Sequence, residues 1–310
     1  MKKVLVTGAT GFIGRHSLRP LQERGYEVHA IYFEAPLEDK PFGIAEGKPE
    51  VIWHQGNLLD ADSIRAICEE VKASHLLHFA WYVNPKDYKT SPENEKWVTA
   101  TLSLLQAFRT GGGTRAVLAG SCIEYDWNVA EEFYVENKPA QSHDTAYGRA
   151  KSQTHRLAMT FSSENNVSLA WGRIFFLYGP YEASTRLVPY VITSLVKGEP
   201  ALLSSGDQLR DFMYVKDVAD AFTSLLDSEV TGAVNICSGI ALPVKDLVLN
   251  IAQALGKTDL VRFGAKPDRD EPARIAGDIH RLKDEVGWQP RYSLDQGIQE
   301  TVEWWSKNGR

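Results

Sequence analysis

Three groups of residues have types and spacings suited to chemistry. The first is Gly8, Gly11 and Gly14, which follow Thr7 and the apolar run Val4-Leu5-Val6. Glycine allows positive φ and close backbone approach. A helix starting at such a turn aims free N–H groups and the positive end of its dipole at one point. That is the chemistry of a pyrophosphate cradle. The second group is Tyr147 and Lys151. Positions i and i+4 share a helix face, and a neighbouring cation lowers a tyrosine pKa from about 10 toward neutral, which makes the phenol usable as a general acid or base. The third is Ser121, a hydroxyl at the end of an apolar strand, able to hydrogen-bond a substrate oxygen.

The elements that must position these groups alternate through the first half of the chain. The run at 4–6 reads as a buried strand that passes through the glycine turn into a helix reaching about residue 25. Further strands are predicted at 27–32, 51–55, 75–80, 115–120 and 167–174, and helices at 60–72, 93–110 and 145–164, with Gly111-Gly112-Gly113 stopping the second of these. Repeated strand–helix–strand units of this length imply an α/β fold, a doubly wound parallel sheet of Rossmann type with helices on both faces. Beyond Phe175 the rhythm changes to a loop rich in Tyr, Gly and Pro, a helix near 187–197 and mixed segments ending at Trp304-Trp305. The division expected is a dinucleotide domain from 1–175 plus 206–240, and a smaller C-terminal substrate domain from 176–205 and 241–310. The smaller domain would cover the carboxyl ends of the strands, where such sheets bind ligands.

With 310 residues, 43% hydrophobic and 24% charged, the chain can bury a sizeable core. A net charge of −6 argues against nucleic acid or an anionic membrane as partner, so an anionic substrate needs a local cationic pocket. No apolar run spans a bilayer, and the first strand starts too early for a cleavable signal, so a cytoplasmic protein is expected. Cys68, Cys122 and Cys237 lack C-x-x-C spacing, which suggests neither a disulfide framework nor a metal site.

In this order the motifs resemble the extended short-chain dehydrogenase/reductase family, specifically its NAD-dependent epimerase/dehydratase group acting on nucleotide-sugars. The matching stretches are Thr7-Gly8-x-x-Gly11-x-x-Gly14, Ser121, Tyr147-x-x-x-Lys151, RIFFLYGP at 173–180, RDFMYVKDV at 210–218, VNICSG at 234–239 and GWQPRYSL at 287–294. The resemblance implies that Tyr147 is the acid/base on the sugar oxygen and that Ser121 hydrogen-bonds that oxygen. Lys151 would hold the nicotinamide ribose and depress the Tyr147 pKa, with hydride passing at the sugar C4. Gly8, Thr10, Gly11, Phe12, Ile13, Gly14, Arg15, Tyr32, Asn57, Leu58, Ala80 and Ile174, with Tyr147 and Lys151, would meet the cofactor. Trp81, Cys122, Phe176 and Arg210 would face a nucleotide-diphosphate sugar, with Arg210 gripping the diphosphate or else pairing with Asp207 or Asp211. A homodimer through the helices bearing Trp97 and Tyr147 is implied in the same way.

Departures from the family pattern refine these expectations. The second strand ends in Tyr32-Phe33-Glu34 without the usual Asp, and Arg15 stands where it could meet a 2′-phosphate, so the cofactor, NAD or NADP, leans slightly to NADP. Trp97 and Phe176 occupy positions where the family often has asparagine. Cys122 and Ile123 stand where sugar 4,6-dehydratases carry an Asp-Glu pair, and the related decarboxylases want a carboxylate at Ile123, which leaves simple redox at C4. Cys122 reads as a small buried filler rather than a base. Glu124-Tyr125 resembles a pair in the 4-keto-6-deoxy-sugar nucleotide reductases. A 4-keto-sugar nucleotide reductase is therefore the leading expectation, with a 4-epimerase holding NAD tightly as the alternative. A cofactor-bound regulator without turnover is the reading from another class, which the intact Ser121, Tyr147 and Lys151 disfavour. His78 reads as a core residue, Asp217 as a helix cap or first-turn charge, and His143 as a candidate wall of the site.

Overall fold

The computed structural model describes residues 2–34, 47–138, 145–268 and 270–309, and His143 lies outside them. The first half runs β1 (Lys3–Thr7), α1 (Gly14–Glu23), β2 (Glu27–Tyr32), β3 (Ile52–Gln55), α2 (Ala61–Val71), β4 (His75–His78), α3 (Glu93–Thr110), β5 (Arg115–Ser121), α4 (Ala146–Asn165) and β6 (Ser168–Ile174). Local chemistry sets several boundaries. The Asp60 carboxylate accepts the Asp62 and Ser63 N–H groups ahead of α2, and the Thr145 hydroxyl accepts the Gly148 N–H ahead of α4, so in each case a side chain satisfies first-turn donors. Both helices end on residues in the left-handed conformation, Lys72 and Asn166.

The second half adds β7 (Phe176–Tyr178), α5 (Leu187–Val196), β8 (Ala201–Leu202), β9 (Leu209–Tyr214), α6 (Val215–Asp227), β10 (Gly232–Ile236), β11 (Ala241–Pro243), α7 (Val244–Ala254), β12 (Val261–Arg262), β13 (Arg274–Ile275) and α8 (Leu294–Asn308). Seven strands form one parallel sheet in the order β10-β6-β5-β4-β1-β2-β3, a doubly wound Rossmann-type arrangement. Chain order reverses between β1 and β4, and ligands bind outside the carboxyl ends of the strands at such a point. Register brings Thr7 beside His78 and sets Ser121 beside Ile174 and Ile174 beside Ile236, so the strand ends form one edge.

Leu18, Leu21, Phe222 and Leu225 of α1 and α6 pack on one face of the sheet, and Ile64, Leu104, Phe108 and Ala158 of α2, α3 and α4 on the other. Each fully buried Leu or Phe contributes about 1.5–3 kcal/mol relative to exposure. A smaller sheet has the order β11-β9-β13, with β7 also paired to β9. The expected division of the chain puts 206–240 with the dinucleotide domain. By pairing, β9 goes with the smaller sheet, whereas α6 and β10 go with the larger one. The α5, α7 and α8 helices build a separate core around Val191, Leu247, Val302 and Trp305.

Candidate active site

The glycine turn follows from close packing. Gly8 has φ +67°, and a Cβ there would lie 2.7 Å from the Ala80 nitrogen, so the turn is pressed against the end of β4. The Gly11 N–H donates to the Gly8 carbonyl at 2.9 Å. A Cβ on Gly14 would fall inside the contact shell of the Gly8 carbonyl, so α1 can start this close to the turn only on glycine. No side chain caps α1 and no acid stands in its first turn, so the helix does not neutralise its own positive end. These features fit the diphosphate of a dinucleotide. Phe12 and Ile13 turn away into the core formed with α5, α7 and α8.

Thr7 and His78 join the two sides of the switch point. The Thr7 Oγ1 is 2.6 Å from His78 Nδ1, and His78 Nε2 is 3.0 Å from Thr101 Oγ1. Burial pushes His78 down to about 3, so the ring is neutral, and its reading as a core residue holds. Arg15 does not reach outward. Its Nη2 donates to the Thr10 carbonyl at 2.5 Å and its Nε to the Gly11 carbonyl at 3.1 Å, while the guanidinium lies 4.0 Å over the Tyr181 ring. Tyr32 ends β2 with its ring edge-on to Trp53. Beyond β3, the Asn57 Oδ1 accepts the Leu59 N–H at 3.0 Å, and Leu58 is buried.

The Tyr147 ring packs against Trp81 and Tyr88 at 6.4 and 5.1 Å. Burial holds the phenol well above its ordinary pKa and Tyr88 adds to this, whereas a hydrogen bond with the Ser121 hydroxyl works the other way. Burial therefore outweighs the depression expected from Lys151. The ammonium sits 5.9 Å from the Tyr147 ring centre and donates to the Ala119 carbonyl at 2.9 Å. Burial pushes Lys151 itself down to about 7, opposed by Glu124.

Glu124 is the hub beneath Ser121. It is fully buried, and its Oε1 accepts the Ser121 N–H at 2.8 Å while the Ser121 hydroxyl accepts the Ile123 N–H at 3.3 Å, a reciprocal capping box. Trp171 Nε1 donates to its two oxygens at 2.8 and 3.0 Å, and Arg173 Nε donates to Oε2 at 3.1 Å. The S-x-x-E spacing of Ser121 and Glu124 was the sequence signal for this role. Tyr125, whose hydroxyl donates to Asn235 at 2.7 Å, is equally part of the scaffold.

Four positions were expected to face the substrate. Trp81 is 8% exposed; its Nε1 donates to Asn94 Oδ1 at 2.8 Å and its ring face lies beneath the Lys151 ammonium at 3.7 Å. Cys122 is buried among Tyr125, Tyr134, Phe175 and Cys237, and burial pushes its thiol up to about 12, which suits a filler and not a base. Phe176 packs on Phe212 at 5.7 Å. Arg210 is 3% exposed and donates to the Leu209 and Pro272 carbonyls, both at 2.9 Å, and to Glu271 at 3.2 Å. Its acidic partner is thus Glu271. Asp207 pairs instead with Lys245, and Asp211 accepts the Ser238 and Gly239 N–H groups.

Glu182, in the loop between β7 and α5, escaped the sequence reading. Its Oε2 is buried without a hydrogen-bond partner, and burial raises the carboxyl to about 8, opposed by Arg186 and the Gly179 N–H. The Arg186 guanidinium lies 5.1 Å over Tyr88, the ring that packs on Tyr147. A lone glutamate in a loop carries no signal in sequence. Among the described residues no cluster of three or more His, Cys, Asp or Glu side chains could hold a metal, and no helix is long and apolar enough to cross a membrane.

Residues 4–237 match the family model described as the NAD dependent epimerase/dehydratase family. The chain is 25% identical to UDP-glucuronic acid decarboxylase 1 of Xenopus tropicalis, over 99% of this chain and 72% of that protein. It is also 25% identical to UDP-glucose 4-epimerase of Neisseria meningitidis serogroup B, over 99% of this chain and 98% of that protein. Among solved structures, UDP-glucose-4-epimerase from Stenotrophomonas maltophila, with bound NAD and formylated UDP-arabinopyranose, superposes with a TM-score of 0.87 at 23% identity, covering 100% of this chain and 99% of that one. At that identity the structural likeness speaks for the fold.

Proposed function

The chain belongs to the NAD dependent epimerase/dehydratase family, and on that premise we propose that it acts on a nucleotide-diphosphate sugar as a 4-epimerase, with NAD held at the glycine turn. The observation that carries this reading is the loop after β5. Cys122 and Ile123 are apolar and buried, at 6% and 7% exposure, so neither can move a proton as dehydration or decarboxylation would require there. Ser121 and Tyr147 remain, which suffices for reversible redox at one carbon. The Neisseria relative, a UDP-glucose 4-epimerase, matches over nearly its whole length. The rival reading, a 4-keto-sugar nucleotide reductase, leaned on Glu124-Tyr125, and those side chains are taken up in holding the end of β5. The lean to NADP rested on Arg15, whose guanidinium is turned onto the glycine turn and Tyr181, so NAD is the cofactor proposed.

The nicotinamide, when bound, supplies the acceptor and donor of hydride. The chain's own residues do the rest. The Gly11 and Gly14 region with the start of α1 holds the diphosphate, and Lys151 holds the nicotinamide ribose. Tyr147 takes the proton from the C4 hydroxyl and later returns it, and Ser121 hydrogen-bonds the same oxygen. Taking that proton requires an ionised phenol. The Ser121 hydrogen bond and the Lys151 charge must therefore act against the burial that holds Tyr147 protonated. Arg210 exchanges Glu271 for the substrate diphosphate, a bidentate use of the guanidinium. The smaller domain, 176–214 and 241–310, supplies the substrate wall, and by family resemblance the protein works as a homodimer.

The test is to release and identify any nicotinamide that copurifies, then to mix the protein with 4-hydroxy and 4-keto nucleotide-sugars while following the reduced-nicotinamide absorbance. Stoichiometric NAD and isomer interconversion without net absorbance change are expected. Little bound cofactor, with added NADH or NADPH consumed only when a keto-sugar is present, establishes the reductase instead. Tyr147→Phe should lower turnover by about 10²–10⁴-fold while cofactor stays bound, and full turnover in that variant removes the mechanism.

A further inference from the structure

The Lys151 ammonium is buried, and among the described residues no carboxylate is in contact with it. Among the described residues its hydrogen bond runs to the Ala119 carbonyl at 2.9 Å, and Lys151 is 4% exposed. Aromatic faces take the place of water. The ammonium lies 3.7 Å over the Trp81 ring, with Trp171 at 5.8 Å and Tyr147 at 5.9 Å. Only Trp81 is in close contact. Its orientation is fixed from behind by the hydrogen bond from Nε1 to Asn94 Oδ1, and Asn94 is itself held by donating to the Tyr88 and Ser91 carbonyls at 2.7 and 2.9 Å.

The charged and titratable groups around Lys151 are few. On α4 itself stands Tyr147, and His155 is stacked on Trp171 one turn further on. From β4 comes His78, which is neutral. After β5 comes Glu124, whose oxygens are taken by Ser121, Trp171 and Arg173. Glu124 makes no direct contact with the ammonium but its charge still acts on Lys151, opposing the burial alongside the indole face. A cation over an indole face is attracted by the ring quadrupole, most strongly where water is excluded and more strongly to Trp than to Tyr or Phe.

We propose that Trp81 is the positioning residue for Lys151, its indole face holding the side chain charged and aimed at the end of β5 in a pocket that water does not solvate. This rests on the reading of Lys151 as the ammonium serving Tyr147 and the ribose, and it moves Trp81 from the sugar wall to the support of the catalytic helix. The face acts against the burial that drives Lys151 toward its neutral form. Removing it lets the lysine lose its proton at a lower pH. Filling the gap with an apolar side chain gives no compensation.

The direct test reads Lys151 itself in the protein alone. Lysine labelled with ¹³C at Cε is followed by NMR across pH, the Lys151 resonance being the one absent from Lys151→Met. Trp81→Leu is expected to lower its titration midpoint by about one pH unit, with Trp81→Tyr and Trp81→Phe falling between it and the wild type. The same order is expected for the high-pH limb of the turnover profile. Should Trp81→Leu fail to fold, the Tyr and Phe variants must still lower the midpoint. A Lys151 midpoint that stays put across the series overturns the proposal, even if turnover drops equally at every pH. If instead the midpoint shifts as stated but Lys151→Met keeps full turnover, the positioning stands and the functional reading of Lys151 falls.

Discussion

Replacing Glu124 with alanine should be the most damaging single change near the site that touches no ligand. In the folded chain its carboxylate accepts from the Ser121 N–H, from Trp171 Nε1 and from Arg173 Nε, at 2.8 to 3.1 Å, with no exposure to water. Alanine leaves the Arg173 guanidinium, itself 2% exposed, without its acid. Breaking a buried pair from one side costs about 3–5 kcal/mol. The Arg173 contact with the Tyr125 ring, 4.5 Å away, offsets only a small part. At about 2.1 cal/mol/K per residue, a chain of 310 residues converts that loss to a drop of about 5–8 °C in melting temperature. Glu124→Gln keeps an oxygen for the Ser121 N–H but turns an amide donor toward Arg173, so it should recover only part of the loss. Equilibrium denaturation of the three proteins, checked for an unchanged denaturant slope, measures this. A loss under about 1 kcal/mol in the alanine variant would mean that Glu124 behaves as an exposed pair does, and the account of the β5 end would be wrong.

Gly14→Ala should weaken cofactor binding about 5- to 160-fold, because the added methyl meets the Gly8 carbonyl and Ala9 backbone rather than a movable side chain; overpacking of this kind costs about 1–3 kcal/mol, and an unchanged cofactor affinity by titration would exclude the cradle as drawn. Glu182 gives a pH signature: its carboxyl is raised to about 8 from an ordinary 4.5, so the folded state keeps a proton that the unfolded state releases, and stability falls as pH rises through that window. Glu182→Gln should flatten that decline and melt higher than the wild type above pH 8, whereas melting curves that run parallel from pH 4.5 to 8 would show that the carboxyl is solvated.

Much was legible in the chain because it depended on neighbours in sequence. The β2 and α3 boundaries were read to the residue, since a period of two or of 3.6 and the glycines at 111–113 act within a few residues. The glycine turn and the Tyr147–Lys151 pair were visible for the same reason, as spacing alone puts them at a helix start and on one helix face. The Ser121–Glu124 box was equally local, and its spacing went unread. What the sequence by itself could not determine was every property that comes from distant segments meeting. Arg210 finds Glu271 61 positions away, and Lys151 finds Trp81 across 70. The expected lowering of the Tyr147 pKa gives way to a rise, because a neighbouring charge follows from i, i+4 spacing while the larger effect of burial depends on Trp81 and Tyr88 closing over the ring. Local periodicity dictates which elements form and which side chains share a face, but burial is a sum over the whole fold, and only the tertiary structure decides the sign of the chemistry at the site.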